Sequence, residues 1–301
     1  MHNIFQKILN FIPTKQIPNS KLCRFLTKLV YFTVRGKFKK PFIINTKFFK
    51  IYVYPSKKEA SSVYFRNFHD YEILTDLNKA YNKNTRLLFL DIGANVGSYS
   101  LSIAKNYRNS KCLSFEPYKK YFNQFNKNII LNKLSNISAY NFCISNKNLN
   151  NNKFFINKTM PGGSSMLGDS VTYHPKMIKN KIKQIPIKSK TVDSILSRYN
   201  LKLYDNFLFK IDVEGAEKFV LDGSKNFIKK VLPDIIIEIE EKNFFGIYNI
   251  SKNLIYLQNL GYSFYLNFFK KKVTLKQLLK TLNKKIKNKS HFHLDLLISC
   301  R

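Results

Sequence analysis

Residues 87–100, Leu-Leu-Phe-Leu-Asp-Ile-Gly-Ala-Asn-Val-Gly-Ser-Tyr-Ser, constrain this chain more than any other stretch. An apolar run leads into an aspartate, two glycines bracket a tight turn, and helical spacing follows through Leu101, Ile103 and Ala104. An apolar run that does not alternate marks a strand covered on both faces, as in parallel sheets flanked by helices. The turn after such a strand lies at the carboxyl edge of the sheet, where open α/β sheets take their ligands. At Gly93 and Gly97 no Cβ keeps a ligand from the backbone amides. The helix that starts near Gly97 adds unpaired N–H groups and a positive dipole end.

The pattern then repeats. Residues 112–115 form a second short apolar strand ending in Glu116-Pro117, and Tyr121, Phe122, Phe125, Ile129 and Leu131 mark the next helix. Residues 137–142 read as a third strand with Cys143 at its tip. Strand, helix, strand, helix, strand is a doubly wound α/β arrangement with crossovers on both faces. Between Asn146 and Lys190 the regularity breaks. Residues 148–152 read as a turn, 154–156 as a hairpin strand, and 160–166 (Met-Pro-Gly-Gly-Ser-Ser-Met) as a flexible loop. Insertions of this kind tend to carry substrate contacts. Thr191 is placed to cap a helix through Ile195 and Leu196. A fourth strand is expected at 207–211, a helix at 214–230 with a break at Gly223, and a fifth strand at 234–240. A helix at 251–260 closed by Gly261, a strand from Tyr262 and a last strand at 294–299 complete the reading.

Residues 1–55 stand apart as a basic amphipathic extension, leaving 56–301 as the main domain. Ile4, Phe5, Ile8, Leu9 and Ile12, then Leu22, Phe25, Leu26, Leu29 and Val30, recur at helical spacing among lysines and Arg24. Such a helix packs its apolar face on a neighbouring domain. Peripheral contact with the inner surface of a membrane is its second reading. The formal net charge of +34 raises nucleic-acid binding, because phosphate neutralisation dominates that affinity. The lysines are nonetheless spread over every segment, and no recognition signature for RNA or DNA accompanies them. A bias of composition fits better, and nucleic acid is not the expected partner. No secretory signal stands at the N-terminus, no stretch has about 18 consecutive apolar residues, and the four cysteines are scattered without a pairing or zinc pattern. A cytoplasmic protein is the expectation.

The chemistry follows the strand tips. A dinucleotide fingerprint starting at Gly93 would need glycine where Asn95 and Ser98 stand, so a nicotinamide cofactor does not fit. Asp91, just before the loop, suits a cationic amino group. Glu116 lies where a ribose-binding carboxylate belongs, and one carboxylate accepts from two hydroxyls at once. Cys143 would border the adenine, and Tyr71, with Glu72, is placed to cover one end of the ligand. The cradle is thus Tyr71, Asp91, Gly93, Ala94, Asn95, Gly97, Ser98, Glu116, Pro117, Cys143 and, from the fourth strand, Asp212.

Five segments in order resemble the FkbM family of methyltransferases. They are residues 91–97 (Asp-Ile-Gly-Ala-Asn-Val-Gly), Phe115-Glu116-Pro117, the Asn128…Asn132 pair, residues 191–195 (Thr-Val-Asp-Ser-Ile) and residues 210–217 (Lys-Ile-Asp-Val-Glu-Gly-Ala-Glu). The resemblance covers roughly residues 60–270. It implies a Rossmann-like methyltransferase fold, doubly wound with a mostly parallel sheet and an antiparallel last strand beside the fifth. It also implies S-adenosylmethionine as cofactor and O-methylation of a sugar or other metabolite. Cys143 departs from the alanine more usual in that family.

Methyl transfer from a sulfonium is an in-line displacement, so positioning the acceptor supplies much of the acceleration. A sugar hydroxyl is a weak nucleophile that gains from a nearby base. Asp212 is expected to face the acceptor, Glu214 to orient it, and Lys210 to pair with one of them. The structural alternative is that Asp212 or Glu214 caps the following helix. Glu238 and Glu240 share a face of the fifth strand, and His174, His291 and His293 are further polar groups without a ligand spacing; no metal is assigned. The acceptor is read as a small molecule or surface glycan; the alternatives are an RNA-modifying methyltransferase and a non-catalytic membrane-surface or binding protein on a methyltransferase scaffold.

Overall fold

The computed structural model describes residues 42–46, 48–53, 71–158, 161–168, 182–244, 249–266, 270–287 and 293–300. The helices expected at 4–12 and 22–30, and His174 and His291, lie outside this set. A hairpin of β1 (Phe42–Asn45) and β2 (Lys50–Val53) comes first, then α1 (Tyr71–Ala80), β3 (Leu87–Ile92), α2 (Ser98–Asn106), β4 (Lys111–Phe115), α3 (Lys119–Leu131) and β5 (Ile137–Tyr140). The middle of the chain holds β6 (Cys143–Ile144), β7 (Leu149–Asn157), β8 (Ile182–Lys190) and α4 (Val192–Leu196). There follow β9 (Asn206–Ile211), α5 (Glu217–Asp222), α6 (Lys225–Val231), β10 (Asp234–Glu240), α7 (Ser251–Asn259), β11 (Ser263–Leu266), β12 (Lys271–Val273), α8 (Leu275–Lys287) and β13 (His293–Ser299).

Eight of the strands make one sheet in the order β12-β11-β13-β10-β9-β3-β4-β5. From β5 to β10 neighbouring strands are parallel, and β13 enters antiparallel between β10 and β11. Strand order reverses direction at β3, whose neighbours are β4 and β9; this is the switch point where such sheets open a crevice. The apolar runs are explained by cover on both faces. Leu88, Leu90 and Ile92 point into a core shared with α4 to α8, while Leu87 and Phe89 point into a second core with α1, α2 and the hairpin residues Phe49 and Ile51. All six residues of β3 are buried.

Three expectations are corrected by long-range contacts. Residues 148–152 are not a turn: β7 runs from Leu149 and pairs with β8, with a register irregularity between Leu149 and Asn152. A run of asparagines has little strand propensity, and pairing with a distant partner overrides it. Together with β6 these strands form a separate sheet, β6-β8-β7. The helix expected at 214–230 starts only at Glu217; its expected break falls at Gly223, where a Cβ would stand 2.1 Å from the Ser145 carbonyl oxygen. Asp193 then caps α6, beyond the break, accepting from the backbone N–H of Asn226 (3.1 Å) and Phe227 (2.8 Å). The third strand ends at Tyr140, two residues early. Among the described residues no helix is long and apolar enough to cross a membrane.

Candidate functional site

β3 and β9 end side by side, Ile92 opposite Ile211, and each runs into a turn with left-handed backbone. In the first turn Gly93, Asn95 and Gly97 have φ of +80°, +54° and +93°; in the second Glu214 and Gly215 have +55° and +102°. The turns are pressed together. Asp212 N–H donates to the Ile92 carbonyl (3.0 Å), and a Cβ on Gly93 would lie 1.8 Å from the Asp212 carbonyl oxygen. The amides of Gly93 and Ala94 both donate to the Phe115 carbonyl at 3.0 Å, which ties the first turn to the tip of β4.

A cleft of about 590 Å³, its open mouth included, lies over these three strand tips. Gly93, Asn95, Glu116, Pro117, Cys143, Asp212 and Glu214 line it. Asp91, Ala94, Gly97, Ser98 and Lys210 do not reach the lining and stand behind it: Asp91 is the fifth residue of β3, Gly97 and Ser98 start α2, and Ala94 packs in the core. Tyr71 opens α1, and its side chain is outside what is described. Glu238 and Glu240 sit on β10, facing Asp295 and His293 in register, away from the lining. The insertion closes one side through Phe154, Pro161, Gly162, Ser164 and Met166.

Glu116 is 6% exposed and bonded through both oxygens to the backbone around the cleft. Its two oxygens accept from Asn95 N–H and Tyr118 N–H, each at 2.8 Å. Burial pushes its pKa up to about 7, against the pull of those two amides. Behind the wall, Lys210 Nζ lies 3.0 Å from Asp212 Oδ2, 4.0 Å from Asp91 Oδ1 and 4.7 Å above the Tyr99 ring. Asp91 accepts from Ser100 Oγ (2.6 Å), yet its Oδ1 is buried with no hydrogen-bond donor. Burial raises the Asp91 carboxyl, opposed chiefly by Lys210. Burial likewise raises the Cys143 thiol, leaving a neutral sulfur at the cleft wall.

Glu217 is the residue the sequence reading passed over. It is 2% exposed, and its Oε1 accepts from Val213 N–H (3.2 Å) and Gly215 N–H (3.1 Å) while Oε2 accepts from Asn243 Nδ2. A buried carboxylate that gathers three donors fixes the turn that displays Asp212 and Glu214. The helix-cap role considered for those two acids is not observed: the N-cap of α5 is Ala216, without a side-chain bond. The signal was present as an acid three residues after Glu214, at the start of a helix, but which of four neighbouring charged groups turns inward depends on the φ of +55° at Glu214.

A doubly wound sheet with one antiparallel strand beside its fifth, and a cleft over its switch point, is the architecture of Rossmann-like methyltransferases. The description "Methyltransferase FkbM domain" matches residues 91–264, more than half of the chain, and the protein belongs to that family. Methyltransferase 1 of Beauveria bassiana (strain ARSEF 2860) is 26% identical over 160 residues, 50% of this chain and 63% of that protein. Methyltransferase sdnD of Sordaria araneosa is 25% identical over 209 residues, 62% of this chain and 77% of its own. This chain thus spans less than two thirds of the first relative's length. Among solved structures, methyltransferase FkbM from Methylobacillus flagellatus KT shares 13% identity over 72% of this chain and 44% of that one, with a TM-score of 0.40.

Proposed function

We propose that the protein methylates a hydroxyl of a sugar or related metabolite, drawing the methyl group from S-adenosylmethionine. The observation that carries this reading is the placement of Glu116 and Asp212 on the walls of one cleft, with Gly93 between the strand tips that bear them. The residues present fit that cofactor. Glu116 has two lone-pair sites left after Asn95 and Tyr118, suited to a pair of ribose hydroxyls. Gly93 lets the β3 and β9 turns close on each other, since a Cβ there would meet the Asp212 carbonyl oxygen at 1.8 Å, and Asp91 lies buried behind them with Lys210. When bound, the cofactor supplies an electrophilic methyl on a sulfonium.

The chain's part is then to hold the acceptor and remove its proton. Asp212, with 22% of its side chain exposed, accepts the hydroxyl proton, and Lys210 at 3.0 Å holds that carboxylate in one orientation. Glu214, in the same turn, orients the acceptor. The enclosure by Phe154, Pro161 and Met166 favours a small molecule or a glycan end over a polynucleotide, which needs an open basic groove. Asp212→Asn tests the assignment. Turnover should fall by at least about 100-fold while calorimetric affinity for S-adenosylmethionine stays within about threefold; normal turnover would remove Asp212 from the mechanism. A labelled-methyl screen over nucleotide sugars, surface glycans and RNA then identifies the acceptor, and label in RNA alone would overturn the glycan reading.

A further inference from the structure

Asn128 joins two parts of the molecule that lie far apart in the chain. Its side chain sits on α3 and the residue is 0% exposed. Oδ1 accepts from the Tyr52 N–H of β2 (2.8 Å), and Nδ2 donates to the Val96 carbonyl in the turn between β3 and α2 (2.9 Å). Both partners are backbone groups of fixed polarity, so the amide has one orientation. Neighbouring side chains of α3 complete the contact with the hairpin. Gln124 Nε2 donates to the Tyr52 carbonyl (2.7 Å), and Asn132 takes both the N–H (2.8 Å) and the carbonyl (2.6 Å) of Lys50. β2 therefore pairs with β1 along one edge and with a row of helix amides along the other.

Of these three amides, Asn128 reaches on to the turn. The peptide whose carbonyl it holds carries the Gly97 N–H, which donates to the Ala94 carbonyl at 2.8 Å and closes the turn. Gly97 itself rests on Phe125 of the same helix, where a Cβ would come within 2.1 Å of the ring. We propose that Asn128 is a positioning residue for the Gly93–Gly97 turn, and that the hairpin at 42–53, outside the family match, locks it in place. The hairpin backbone sets the amide, and the amide sets the Val96–Gly97 peptide. This rests on the reading of that turn as the cofactor site.

The test uses the full chain and three variants. Asn128→Asp keeps an acceptor for Tyr52 but turns an oxygen toward the Val96 carbonyl. Tyr52→Pro removes the hairpin's donor together with the tyrosine ring, and Asn132→Ala deletes two hairpin bonds and one to the Asn128 carbonyl (2.8 Å) without touching the turn. Expected are an S-adenosylmethionine Kd raised about tenfold in Asn128→Asp and several-fold in Tyr52→Pro, and unchanged within about twofold in Asn132→Ala. Without ligand, amide hydrogen exchange over residues 93–98 should quicken in the first two and not in the third. Unchanged exchange in either of the first two, with the chain folded by circular dichroism, overturns the proposal; so do equal effects in Asn132→Ala, which would mark general loosening. A wild-type chain that binds no S-adenosylmethionine sinks the functional reading, and the exchange arm still decides this one.

Discussion

Lowering the pH from about 8 to about 6 should weaken S-adenosylmethionine binding roughly tenfold through one group, Glu116. The carboxyl is 6% exposed, and burial holds its pKa up at about 7, so it is about nine-tenths ionised at the higher pH and about one-tenth at the lower. Ribose hydroxyls donate to the ionised form, and a proton on the carboxyl competes with them. The same group sets a slope in stability before any ligand is added. Between the ordinary value of 4.5 and about 7 the native state holds a proton that the unfolded chain has released. Stability therefore falls as pH rises through that window, by about 3 kcal/mol in all. Glu116→Gln removes both effects, since an amide does not titrate; it also surrenders one of the bonds to Asn95 or Tyr118, at a cost of about 1–3 kcal/mol. The assay is calorimetric titration and urea unfolding at matched ionic strength for both proteins. The ligand's own α-amino group titrates near pH 8, so the quantity to read is the difference in slope between wild type and Glu116→Gln. Equal slopes in the two would refute the argument.

Gly93→Ala should abolish cofactor binding and lower stability by more than about 2 kcal/mol, because the new Cβ meets the Asp212 carbonyl at 1.8 Å and the backbone is left-handed; thermal melts and titration check it. Glu217→Ala strands the amides of Val213 and Gly215, so unfolding free energy should drop about 2–4 kcal/mol and turnover should fall with it, read by urea denaturation and methyl transfer. Lys210→Met leaves Asp91 and Asp212 without their shared cation and should cost about 3–5 kcal/mol near neutral pH. That loss shrinks as pH falls, since protonated Asp91 needs no cation; a pH-independent loss would show that packing alone is responsible.

The sheet was legible in the chain because its central strands are covered on both faces and so carry apolar runs that do not alternate: 87–92, 207–211 and 235–239 are each interrupted by one charged residue only (Asp91, Lys210 and Glu238). The acids and glycines at their tips were legible for a related reason, since a turn at a strand's carboxyl edge has few residues and each has a distinct conformational or charge role. Tertiary structure alone decided the rest. That Glu217 rather than Glu214 turns inward depends on the left-handed backbone at Glu214 and Gly215, and that asparagines 150–152 belong to a strand depends on β8, more than thirty residues away. That the hairpin at 42–53 meets α3 depends on three amide side chains whose partners are backbone atoms, and backbone atoms carry no signature in a sequence. Periodicity reports which faces of an element are buried, whereas the partner that buries them is fixed only when the chain closes on itself.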